Sequence, residues 1–246
     1  MEFGSVNISS HGPFSGNQIL RFHANVNLIK GSNGTGKTTI FRELLRQYRE
    51  QYRRNDIPAE LAIKLVFIGE GYGHEERRGE SIVAAAQALQ AVQCLHVLPQ
   101  LISHRVNQLV ARKVMWGQSK FGQPEDSGFP FVVSISEAGV LQIFGVSGGR
   151  SDSLFVAAGE SFMLSLACNI ALRDLLGFGD PFVIDEAFGM LDESLLPACH
   201  QGILRTNNQC IFLLSDRISE RIGTNPDYIL AWDDEKLRTR AVATGA

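Results

Sequence analysis

Residues Gly31 to Thr38 read GSNGTGKT and satisfy every fixed position of the pattern G-x-x-x-x-G-K-[ST]. The chemistry open to such a segment is the gripping of a nucleoside triphosphate. Glycines at 31, 34 and 36 permit backbone angles and close approaches that a Cβ would obstruct. The loop N–H groups can then turn inward as an anion nest. Lys37 is placed to reach the β- and γ-phosphates, and the Thr38 hydroxyl to help hold Mg²⁺. The residues expected to contact ATP here are Asn33, Gly34, Thr35, Gly36, Lys37, Thr38 and Thr39.

A second chemical cluster lies far downstream. Pro181-Phe-Val-Ile-Asp185-Glu186 is an apolar run ending in two carboxylates. At such a strand end an Asp can hold Mg²⁺ opposite the loop hydroxyl. The adjacent Glu186 can polarise an attacking water. Two acids after a buried strand can also be the mere start of a loop; the phosphate loop upstream favours the functional reading. Between the two clusters, Ala157-Ala158-Gly159-Glu160 precedes SFMLSLACNIALRDLL. Gly159 and Glu160 would open a helix whose first N–H groups can face an anion. Its stripe of Phe162, Leu166, Ile170 and Leu176 makes the helix body core.

These residues need a scaffold. Val26 to Lys30 reads as a short strand feeding the loop, and a helix is expected from about Thr38 to Arg54. Residues 6–30 read as strands joined by a turn at His11 to Asn17. Leu61 to Ile68 is an apolar strand candidate. Ser81 to Cys94 is helical by composition, and Leu95 to Val97 a short strand. Pro99 interrupts any helix through it, and Ile102 to Trp116 is a further helix. Phe129 to Ile135 and Val140 to Val146 form a hairpin around Glu137-Ala138-Gly139. A polar loop, the helix Glu160 to Leu176, and alternating strands and helices follow, with Ile211 to Leu214 as the last core strand.

The bulk composition bounds the class. A chain of 246 residues suits one large α/β domain or two small ones. No apolar run approaches the ~18 residues of a membrane span. A net charge of −3 excludes a generally basic nucleic-acid binder and leaves only a local patch. Cys94, Cys168, Cys199 and Cys210 form no C-x-x-C pair and read as reduced thiols of a cytoplasmic protein. The six histidines show no metal spacing. Met1 to Ser5 looks like a cloning remnant outside the fold. Arg42, Arg46, Arg49 and Arg53 share one helix face. That stripe could meet a nucleic-acid backbone, or be a solvated face laced with Glu43 and Glu50.

The order of phosphate loop, Gly-Glu helix, hydrophobic-Asp-Glu strand and Leu-Asp resembles the ATP-binding-cassette superfamily. Within it the chain most resembles the SMC/SbcC/RecF-type DNA-repair ATPases. Their loop typically reads G-x-N-G-x-G-K-[ST], matched here with Asn33. Their signature helix typically begins L-S-G-G-E, matched by Gly159 and Glu160. Their acidic strand often continues DEGFGTLDE, and here it is DEAFGMLDE. The resemblance covers roughly residues 6–54 and 150–235.

The resemblance implies an α/β P-loop NTPase fold of ABC type: a mixed sheet with flanking helices, an antiparallel β portion and a helical lobe. It implies one head, with residues 6–54 and 129–246 as its halves and 55–128 as a helical and loop insertion. ATP and Mg²⁺ would be bound, with Thr38 and Asp185 on the metal side, Glu186 orienting water and Asp192 beside the nucleotide. Cassette ATPases also place a Gln after a short strand to touch Mg²⁺ and the attacking water. Gln100 fits that place, with Gln87, Gln90 and Gln93 as competitors and an exposed loop Gln as the plain alternative. Two heads would sandwich two nucleotides, Gly159 of each closing the other's site. DNA, a nuclease or other effector, and DNA maintenance, repair or anti-phage defence are implied, with no membrane.

The chain departs from the family pattern in three places. Ala157 and Ala158 stand where the signature Ser and first Gly belong, so a γ-phosphate donor is missing. Ser215-Asp216-Arg217 stands where a sensing His is common. Residues 55–150 are too few for coiled-coil arms, which are either naturally absent or removed. The alanines favour an alternative, a weakly hydrolysing, nucleotide-gated dimerisation module. A transport-type cassette subunit is the third reading, opposed by Asn33 and DEAFGMLDE.

Overall fold

Short strands buried on both faces are typical of a covered parallel sheet. Two such strands are β8 (Phe182–Asp185) and β9 (Cys210–Leu214), buried at every position. In the computed structural model they lie side by side, in parallel, within a six-stranded sheet. The structure describes residues 1–9, 12–14, 16–69, 98–109, 131–135, 141–145, 150–152, 158–191, 195–206, 208–233 and 238–244. The expected elements at Ser81 to Val97 lie outside these residues.

The chain divides into two units. The first comprises Met1–Gly73, Gly179–Gly189 and Asn207–Ala246. Its large sheet has the order β11-β10-β3-β9-β8-β4. Here β3 is Val26–Gly31, β4 Phe67–Gly69, β10 Tyr228–Asp233 and β11 Arg238–Ala243. All neighbours are parallel except the closing β10–β11 pair. A separate hairpin joins β1 (Ser5–Ser9) to β2 (Asn17–Arg21), with Val6 opposite Leu20 and both buried. The strand β9 is the last fully buried one: it sits between β3 and β8, and the mostly open β10 and β11 extend the sheet beyond β3.

Helix α1 (Lys37–Gln51) follows β3. Ile40, Phe41, Leu44, Leu45 and Tyr48 recur at helical spacing and are buried, while Arg42, Arg46 and Arg49 are exposed. The Tyr48 ring lies 5.6 Å from Phe67 and the Phe41 ring 5.3 Å, both edge-on. Fully burying such rings contributes about 1.5–3 kcal/mol each.

Two expectations are corrected in this unit. Leu61 to Ile68 is not a strand: Ala59–Val66 forms helix α2, and only Phe67–Gly69 is extended. Leu61, Ala62, Ile63, Leu65 and Val66 are buried, while Glu60 and Lys64, four apart, take the less buried face, a helical spacing easily overlooked in a short apolar run. Pro58 before the first turn and Glu60 within it are the local helix signals. The N-terminal pentapeptide is not outside the fold. Phe3 is 3% exposed, its ring 6.4 Å from Tyr48 and 6.5 Å from Phe67. Its N–H donates to Gln209 Oε1 at 2.8 Å, and Gln209 Nε2 donates to its carbonyl at 2.9 Å.

The second unit comprises His74–Phe178 and Met190–Thr206. Strands β5 (Phe131–Ile135), β6 (Leu141–Gly145) and β7 (Arg150–Asp152) form an antiparallel meander. The expected hairpin is present in register, Ile135 opposite Leu141. Its third strand falls in the stretch expected to be a polar loop. The described residues of this unit also form helices α3 (Leu98–Leu109), α4 (Ala158–Leu175) and α5 (Leu195–Leu204). The helix expected from Ile102 begins earlier, at Leu98, with Pro99 in its first turn, where its missing N–H costs nothing. In α4 every residue from Leu166 to Arg173 is buried. Cys168 lies within that run, and burial drives its thiol pKa upward. Among the described residues Cys168, Cys199 and Cys210 are buried and form no disulfide.

Candidate active site

The phosphate loop and the acidic strand end meet because the sheet order places them one strand apart. Strand β9 pairs with β3 on one side and β8 on the other, in matching parallel register. The C-terminal ends of β3 and β8 therefore open on the same edge of the sheet. At that edge Thr38 Oγ1 donates to Asp185 Oδ2 at 3.1 Å. Asp185 is 2% exposed, whereas Ser32, Asn33, Gly34 and Thr38 are open to solvent. The site is an accessible loop over a buried carboxylate.

Backbone geometry makes the cradle. Gly36 is the N-cap of α1 with φ 99°, and a Cβ there would fall 2.4 Å from the Phe14 ring. Only glycine accepts both the angle and the approach. Its carbonyl accepts from Thr39 N at 3.0 Å and Ile40 N at 3.1 Å, which starts the helix. Thr35 Oγ1 donates to Ser32 O at 2.8 Å and ties the loop across its own bend.

Lys37 is 5% exposed. Its ammonium donates to Gly31 O at 2.7 Å and Ser32 O at 3.0 Å. It also lies 3.0 Å from Glu186 Oε1, an ion pair off the angle a hydrogen bond requires. Glu186 has φ 52°, a left-handed conformation uncommon for a side chain of its size. Such angles cost on the order of 1–3 kcal/mol and persist where neighbours over-determine them. Here the Glu186 N–H donates to Leu213 O on β9 at 3.0 Å, and the Glu186 carbonyl accepts from Gly189 N at 3.1 Å.

The donor set suits a triphosphate with a hard divalent ion. One ammonium and a glycine-hinged loop serve phosphate oxygens, while a hydroxyl and a carboxylate face each other as oxygen ligands. Among the described residues no cluster of three His, Cys, Asp or Glu side chains converges. An ion at Thr38 and Asp185 would therefore depend on phosphate oxygens and water to complete its shell.

The remaining expected site residues stand differently. Gln100 lies on helix α3, exposed, rather than in a loop after a strand. Gly159 and Glu160 lie in the first turn of α4. Ala157 and Asp192 lie outside the described residues. Ser215, at the position of the absent His, is the N-cap of α6 (Asp216–Ile222). The arginine stripe is partly neutralised by its own helix. Arg46 pairs with Glu43 and with Glu50, both at 2.5 Å, and these partners raise its pKa.

One site residue escaped the sequence reading. Gly69 of β4 pairs with Asp185 in register, and a Cβ on it would lie 3.0 Å from Asp185 Cβ and 3.2 Å from its carbonyl. The glycine gives the metal-side carboxylate its room. A Gly ending a short apolar run was the available signal.

Solved structures share this architecture. The chain aligns over 100% of its length with 100% of the SMC head domain from Thermotoga maritima, at TM-score 0.58 and 13% identity. It aligns over 99% of its length with 97% of an SMC head bound to the C-winged helix domain of ScpA, at TM-score 0.63 and 10% identity. An SMC head from Pyrococcus furiosus, with an extended coiled coil and bound to the C-terminal domain of ScpA, aligns at TM-score 0.61 and 9% identity, 98% of this chain against 96% of that one. The chain has the α/β fold of these SMC head domains. The sequence matches no protein-family model and no curated protein.

Proposed function

We propose that this chain is an ATP-binding and hydrolysing head that dimerises on ATP. The observation that carries the reading is the convergence of Lys37, Thr38, Asp185 and Glu186 at one sheet edge. Lys37 and the loop hold the phosphates; Thr38 and Asp185 would hold Mg²⁺, which when bound would offset negative charge on the phosphate oxygens. Glu186 accepts a proton from, and orients, the attacking water. Gln100, Gly159, Glu160 and Asp192 are proposed to complete the site in the ATP-bound dimer.

The SMC-head fold supports mutual completion by two heads, and a two-fold pair is the arrangement that closes on itself. Two of the solved SMC heads were crystallised with ScpA domains, which supports a protein partner for this chain. A role in DNA maintenance, repair or defence rests on the motif resemblance alone. Among the described residues no helix is long and apolar enough to cross a membrane.

The test is the mass of Glu186→Gln by light scattering with and without Mg-ATP. The amide keeps the shape of the side chain but cannot take a proton, so hydrolysis stops and the ATP-bound form accumulates. The reading expects a dimer with ATP and a monomer without it. Adding Lys37→Ala should abolish the dimer. A protein that stays monomeric at saturating Mg-ATP and high concentration overturns the two-head arrangement.

A further inference from the structure

The Lys37 ammonium has three oxygen neighbours, and one belongs to the residue assigned to water activation. Gly31 O and Ser32 O lie within its own loop at 2.7 and 3.0 Å; Glu186 Oε1 lies at 3.0 Å. The pair is sheltered, with the Lys37 side chain 6% and the Glu186 side chain 23% exposed. The Glu186 backbone is clamped on both sides, its N–H on Leu213 O and its carbonyl on Gly189 N, in the left-handed conformation. The strand β9 and the turn Ala187–Met190 thus hold the angle at which the carboxylate meets the lysine.

We propose that Lys37 and Glu186 form a latch: phosphate oxygens and the Glu186 carboxylate compete for the same ammonium. A bound triphosphate draws Lys37 onto its β- and γ-oxygens and frees the carboxylate for water. Until then the base is neutralised by the loop lysine. The inference rests on the reading that the loop binds a triphosphate, and adds that nucleotide binding itself arms the base. It also means that the wild-type chain binds ATP more weakly, by the cost of breaking the pair.

The test measures ATP affinity by calorimetry in metal-free buffer for the wild-type chain, Glu186→Gln and Asp185→Asn. Both substitutions remove one negative charge near the phosphates, but only Glu186→Gln releases Lys37. The latch expects Glu186→Gln to tighten ATP by roughly fivefold, the scale of one sheltered ion pair, and Asp185→Asn to tighten it clearly less. Equal gains assign the effect to charge removal and overturn the latch, as does no gain from Glu186→Gln. A second arm follows thermal unfolding of Lys37→Met, Glu186→Gln and the double variant without nucleotide. The latch expects non-additive shifts, because the two side chains share one interaction; additive shifts overturn it. If no form binds ATP, the nucleotide reading fails and the latch with it. Measurable but equal affinities would sink the latch alone.

Discussion

Thr38 Oγ1 and Asp185 Oδ2 are separated by 147 residues in sequence and by 3.1 Å in space. Strand β9 brings them together, pairing with the strand that feeds each. The contact sets a hydroxyl and a buried carboxylate side by side, two oxygen ligands of the kind a hard divalent ion takes.

From this contact follows a metal-dependent phenotype. Thr38→Ala should weaken ATP binding about tenfold or more in Mg²⁺, an order of 1.4 kcal/mol, and leave the affinity in EDTA nearly unchanged. Paired calorimetric titrations check it. An equal loss in both buffers would place the Thr38 hydroxyl on phosphate rather than on the metal side.

The chemistry of the site was legible in sequence because it sits in contiguous motifs whose spacing is dictated by backbone geometry. GSNGTGKT and PFVIDE announce themselves without tertiary information. What was not legible depends on contacts distant in sequence. The α2 segment is short and mostly apolar, so the i, i+4 spacing of Glu60 and Lys64 is easily passed over and a helix reads as a strand. Phe3 looks dispensable until Tyr48, Phe67 and Gln209 surround it. Pro99 breaks a helix interior but is welcome in a first turn, and the two cases differ only by where the helix begins. Gly69 matters only because Asp185 lies across the ladder from it. The Lys37–Glu186 pair depends on a backbone angle that no motif records.

Phe3 supplies a stability prediction. Phe3→Ala removes a buried ring wedged between Tyr48 and Phe67, so it should cost about 3 kcal/mol or more. Urea unfolding with the midpoint and slope fitted together measures it. A change under about 0.5 kcal/mol, the scale of an ordinary surface substitution, would show that the N-terminal segment adds nothing to the core.

His200 supplies a pH dependence. It is 2% exposed, and burial lowers its pKa from 6.5 to about 4. As pH falls below 6.5 the unfolded chain takes up a proton that the folded chain refuses until about 4. The unfolded state then binds more protons, so stability is fully present above 6.5 and declines toward 4. The decline attributable to this group is at most about 3 kcal/mol, from ~2.5 pK units at ~1.36 kcal/mol each. His200→Gln should flatten the curve over that window relative to wild type. Identical slopes in the two proteins would show that the folded chain titrates His200 normally.

The central claim is that Lys37, Thr38, Asp185 and Glu186 form one hydrolytic site. Steady-state phosphate release from Mg-ATP, across a range of protein concentrations, tests it most directly in wild type and Glu186→Gln. The account predicts turnover in the wild-type chain that rises faster than linearly with protein, as paired heads require. It predicts a fall of about 100-fold or more in the variant, the scale of losing a general base. Wild-type release no faster than that of Glu186→Gln at every concentration would contradict it.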